Sequence, residues 1–191
     1  MRNAIVLLVL FCCIQNKGNL MAKENEFVDD PIQREITRNA VFELNQNSYL
    51  GYDFLVPLDE GTKEKIQLEC NGNWITNYMS HDYYGDNITW IFSGYPHDEC
   101  SSFLTEVRFC SDNHNVFGIK PGDDISIAED KLLSLGFEHN NGYSRRRYYS
   151  YNKGDLFIAF DNFVNRGNGE HSKIETITVQ VRTFYLGNRI Y

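Results

Sequence analysis

Apolar positions recur every four residues at Ile32, Ile36 and Ala40, and Val41 and Leu44 widen the stripe. That is the period of a helix with one buried face. Asp30 stands at its cap and Pro31 at its first position, and the turn formers of residues 45–48 end it. From Tyr49 on the pattern is that of strands. Residues 49–56 read as one strand, stopped by Pro57, and Asp59-Glu60-Gly61 as a turn. In residues 65–70 Ile66, Leu68 and Cys70 alternate, which predicts a second strand. Asn71-Gly72 is a hairpin signal, with residues 74–79 returning. His81-Asp82 reads as a polar loop, and Gly85-Asp86 as a turn. Residues 87–92 and 103–110 follow as strands.

A second helix is punctuated at both ends. Ser126 and Glu129 have capping-box spacing, Ala128, Leu132 and Leu135 form the stripe, and Gly136 stops the helix with Phe137 folding back. Strands are then expected at residues 146–151, 156–160 and 174–183. The resulting class is α+β, with antiparallel sheet and one helix per half. Residues 84–92 read like 153–160, and 104–109 like 174–179, a period of roughly 70 residues. A tandem helix-plus-sheet unit explains this, and so does the general likeness of turn–strand–loop–strand segments. The expected division is a leader at 1–20, a polar linker at 21–30, and α+β units at 31–112 and 113–191.

Composition narrows the partners. The chain of 191 residues has a net charge of −8, with 12 Tyr and 13 Phe. The aromatics suit sheet. The acidity disfavours nucleic acid, whose phosphates it repels, and suits a basic protein. The apolar run at 4–14 is shorter than the about 20 residues that span a bilayer, but fits the core of an export signal. Cys13 is a candidate lipid attachment site, so membrane contact is expected only through that anchor or the uncleaved segment. Export or envelope anchoring competes with a cytoplasmic chain starting at Met21. Cys100 and Cys110 are candidates for a disulfide in an oxidising compartment.

Gly118-Ile119-Lys120-Pro121-Gly122-Asp123, then Ser126, then a helix ending Leu135-Gly136-Phe137 and Gly-Asp-initiated strands, resembles the units of β-lactamase inhibitory proteins and small outer-membrane assembly lipoproteins. The match is mainly to residues 116–182. It implies a helical element on one face of an antiparallel sheet, and another protein bound by a sheet face or loop.

No catalytic motif is present, and neither a cofactor nor a metal site is expected. His97-Asp98-Glu99-Cys100 holds four possible ligands, but consecutive loop residues point apart, so a solvated loop is favoured. Asp123, Asp124, Glu129 and Asp130 complement the dipole of the second helix. The richest run is residues 143–151, where Tyr143, Arg145, Arg147, Tyr149 and Tyr151 form a candidate protein-binding surface. A non-enzymatic binding module is the leading reading. The alternatives are a cytosolic immunity- or inhibitor-type protein and an enzyme without a recognisable motif.

Overall fold

The computed structural model describes residues 30–77, 80–94, 102–140, 148–161 and 173–181. Among the described residues three helices precede or separate two strand meanders: α1 (Pro31–Asn47), α2 (Glu60–Glu69) and α3 (Ile125–Ser134). The first meander is β1 (Gly72–Thr76), β2 (Ser80–Gly85), β3 (Ile88–Ser93) and β4 (Phe103–Phe109). The second is β5 (Glu138–His139), β6 (Tyr148–Lys153), β7 (Leu156–Asp161) and β8 (Thr176–Val181). Together they make one antiparallel sheet in the order β1-β2-β3-β4-β8-β7-β6-β5. The order is symmetric about the β4–β8 pair, so the last strand of each meander meets the other at the centre. The α+β class with an antiparallel sheet is thus the observed one.

Strand alternation sorts side chains onto two faces. One row runs through all eight strands: Trp74, Tyr83, Trp90, Val107, Val179, Ile158, Tyr151 and His139. All but His139 lie in or against the hydrophobic core. Ala40, Val41 and Leu44 of α1, Ile66 of α2, and Ala128 and Leu132 of α3 join the same cluster. The helices therefore cover this face. Trp90 is its centre: its indole N–H donates to the Leu50 carbonyl at 2.9 Å in the buried interior.

Several elements differ from their sequence expectation. The stripe of α1 is Thr37, Ala40, Val41 and Leu44, while Ile32 and Ile36 are exposed. Residues 49–56 are irregular rather than a strand, held by paired Tyr49–Asn115 backbone hydrogen bonds of 3.0 Å. Residues 65–69 belong to α2, with Cys70 as its C-cap, because Asp59 accepts from the Thr62 N–H at 2.6 Å and caps a helix where a turn was expected. Leu68 then points outward, 87% exposed, so the alternation of Ile66, Leu68 and Cys70 is not a buried strand face. Asn71-Gly72 joins α2 to β1 instead of closing a hairpin.

In α3 the cap is Asp124, not Ser126; its carboxylate accepts from the Ser126 N–H at 3.0 Å. The helix stop behaves as expected. Gly136 has φ +81°, its N–H donates to the Leu133 carbonyl at 3.0 Å, and that of Phe137 to Leu132 at 3.1 Å. This pair of bonds satisfies the last carbonyls and seats Phe137 in the core.

Two contacts fix the helices to the second meander. Lys153 on β6 donates to the Glu43 carboxylate of α1 at 2.7 Å and to the Leu135 carbonyl after α3 at 2.9 Å. The β6–β7 turn, Gly154-Asp155, lies against α1, where Thr37 Oγ1 accepts from the Asp155 N–H at 2.9 Å. Gly154 has φ +64°, and a Cβ there would stand 2.5 Å from Thr37 Oγ1. Gly122 has φ +92° but open space around it. Gly122→Ala should therefore cost only left-handed strain, about 1 kcal/mol. Gly154→Ala adds overpacking, for about 3 kcal/mol in all. Urea unfolding of both variants checks this, and equal losses would show that the turn does not press on α1.

Candidate functional site

The second face of the sheet carries the alternate row: Ile75, Asp82, Ile91, Glu106, Gln180, Phe157, Asn152 and Glu138. Its neighbours include Tyr84, Thr89, Arg108 and Thr178, aligned across β2, β3, β4 and β8. A polar group on this face is expected to be wet, yet Asp82 is only 6% exposed. Asp82 Oδ2 accepts from Asn77 Nδ2 at 2.9 Å and from the Tyr84 hydroxyl at 3.4 Å. Asp82 Oδ1 is buried with no hydrogen-bond partner. An acceptor left so costs about 1–3 kcal/mol.

Glu106 lies two strands away in the same row, with Ile91 between. Its Oε2 accepts from Gln180 Nε2 at 3.1 Å, and its Oε1 is 3.6 Å from the Arg108 guanidinium. Burial raises the Glu106 pKa above the ordinary carboxylate value; Arg108 opposes this and the Asp82 charge adds to it. The same Asp82 charge is the main cause pushing up the phenol of Tyr84, which is 45% exposed. Asp82, Tyr84, Glu106 and Arg108 are thus one electrostatic cluster around Ile91.

The β-bulge between Ile91 and Phe92 helps place it. At the bulge the Thr105 hydroxyl lies within hydrogen-bond distance of the Ile91 carbonyl, at 3.2 Å, and of Ser93 Oγ, at 2.8 Å. Glu106 is thereby returned to register opposite Ile91 on the second face.

The residues singled out in the sequence fall elsewhere. Tyr151 is a core residue at 0% exposure, its ring in tilted contact with those of Phe160 and His139, so it is removed from the surface expected for it. Burial, with the nearby Glu129 charge, holds its phenol well above the usual value. Tyr149 is 39% exposed and shares the helix side of β6 with Tyr151. Tyr143, Arg145 and Arg147 lie outside the described residues, as do Cys13 and the run His97–Cys100. Cys110 is an exposed free thiol whose Sγ donates to the Asn87 carbonyl at 3.7 Å; Cys100, its expected partner, is outside the described residues. His81-Asp82 is not a loop but the buried middle of β2, where His81 Nδ1 meets Thr76 Oγ1 at 3.1 Å.

Among the described residues no group of three or more His, Cys, Asp or Glu side chains could hold a metal ion. No described helix is long and apolar enough to cross a membrane. At the β5 edge His139 pairs with Glu129, an imidazole oriented by a carboxylate. No family model, curated protein or solved structure matches the chain.

Raising the Glu106 pKa has a signed consequence. Below the ordinary value of 4.5 the group is neutral in both folded and unfolded chains. As pH rises past it the unfolded chain ionises first, and stability is lost until the folded carboxyl has also ionised. Glu106→Gln removes that loss. Its urea midpoint should exceed the native one at pH 7, and the advantage should vanish near the acid end. A variant weaker at pH 7 than at low pH would show that the charged form is the stabilising one.

Proposed function

We propose that the chain is a non-enzymatic protein-binding module, exported or anchored in the cell envelope. The observation that carries this reading is the second sheet face, where two desolvated carboxylates, a tyrosine and an arginine surround an isoleucine. Aromatic and arginine side chains dominate protein recognition sites, and a carboxylate held out of water gains most from a charged partner. The net charge of −8 favours a basic partner and disfavours nucleic acid. The reading needs no cofactor. Membrane contact is assigned to the apolar run at 4–14 or to a lipid on Cys13.

The symmetric strand order supports reading the two meanders as copies of one helix-plus-sheet unit. A separately expressed 31–112 fragment that pairs with itself through β4 would support that origin; a fragment that stays unfolded would count against it.

The acidic balance equally supports a cytosolic immunity- or inhibitor-type protein beginning at Met21, which would neutralise a basic protein by fast, steered association. Mass spectrometry of the native N-terminus separates the two. A lipid-modified Cys13 or a cleaved leader is the expected result, and a chain beginning at Met21 or Ala22 overturns export. The Glu129–His139 pair is the support for an enzyme, since such a pair can serve acid–base chemistry. For binding itself, crosslinking in native extract should retrieve one specific basic protein. Retrieval of none would sink the module reading.

A further inference from the structure

We infer that the Asp82–Ile91–Glu106 row is a seat for one arginine side chain of a basic protein partner. This rests on the protein-binding reading above and names the chemistry of its central contact. Asp82 and Glu106 stand on strands two apart, about 10 Å between backbones, with Ile91 midway. Ile91 offers an apolar floor for the aliphatic stem, and the carboxylates flank the place of the guanidinium. Tyr84, exposed beside Asp82, supplies an aromatic rim that favours a cation.

The Asp82 side chain gives the seat its strongest mark. It is more than nine-tenths buried, and Oδ1 has no partner although Oδ2 has two. Native structures rarely leave a buried acceptor so. Oδ1 is closed to solvent in the free protein, so a guanidinium, whose planar fork carries five donors, reaches it only once the exposed Tyr84 ring turns aside. A divalent cation is disfavoured here, because among the described residues no group of three His, Cys, Asp or Glu side chains could hold one.

Arg108 is the chain's own cation at this place. It lies 3.6 Å from Glu106 and is more than half exposed, so it can swing away. In the free protein it partly neutralises the seat, and the incoming arginine displaces it. The assignment therefore predicts opposite effects for two charge-removing variants. Losing the carboxylate of Asp82 weakens the seat, and losing Arg108 strengthens it.

The test uses the full chain and ethylguanidinium as the probe, so it needs no natural partner. Side-chain carboxyl resonances of Asp82 and Glu106 are followed by NMR, with tetramethylammonium at equal ionic strength as the control. The expected result is a saturable shift of both resonances with ethylguanidinium alone. Affinity should fall about tenfold or more in Asp82→Asn, the scale of a charge-assisted hydrogen bond, and rise in Arg108→Ala. Glu106→Gln serves as a second weakening variant should Asp82→Asn fold poorly. Equal shifts with both cations, no saturation, or an unchanged affinity in the weakening variants would overturn the seat. Those failures would leave the crosslinking result standing, whereas failure of crosslinking with an intact ethylguanidinium response would sink the binding-module reading and the protein partner with it, leaving only a guanidinium site.

Discussion

The pairing of β4 with β8 is the contact on which the rest of the fold depends. It aligns Glu106 with Gln180, Val107 with Val179, Arg108 with Thr178 and Phe109 with Ile177. Each meander alone would leave an apolar strand with unpaired backbone at its edge, an invitation to pair with other chains. Joined, the two strands bury that edge at the centre of one sheet. The ladder also sets phase: with Val107 and Val179 in the core, Glu106 and Gln180 must emerge on the other face. A slip of one residue would place the carboxylate in the core and the valines outside.

Phase is also what made the site hard to see in the sequence. The strands at 87–92, 103–110 and 156–160 were legible because their apolar residues alternate or run continuously between turn signals. The start and stop of α1 were legible because Asp30-Pro31 and residues 45–48 are local signals, as was the Gly136-Phe137 stop of α3. The interior of α1 was misphased: Ile32 and Ile36 are strongly apolar, yet Thr37 takes the buried place because the β6–β7 turn needs its hydroxyl. α2 was missed because Gly61 reads as a turn, although Asp59 three residues before Thr62 is a cap signal. These are tertiary decisions overriding local propensity.

The candidate site was nearly invisible for the same reason. Asp82 sits in a run, His81-Asp82-Tyr83-Tyr84, that is polar enough to read as loop. Its strand alternation puts Tyr83 in the core and Asp82 on the opposite face, in one row with a residue 24 positions away in sequence, Glu106. Only the register across three strands, including the bulge at Thr105, brings the two carboxylates into one row. The Tyr/Arg run drew the eye instead because its chemistry is local, and Tyr151 at its end proves to be core.

One sheet carries both the core and the candidate surface, so the decisive question is whether it behaves as one cooperative unit. Native-state amide hydrogen exchange answers this directly. The account predicts that the amides of Val107 and Val179, and those of β3 and β7 beside them, exchange only through a shared opening with one free energy and one denaturant dependence. Separate opening free energies for the β1–β4 and β5–β8 meanders, with weak protection at Val107 and Val179, would contradict it.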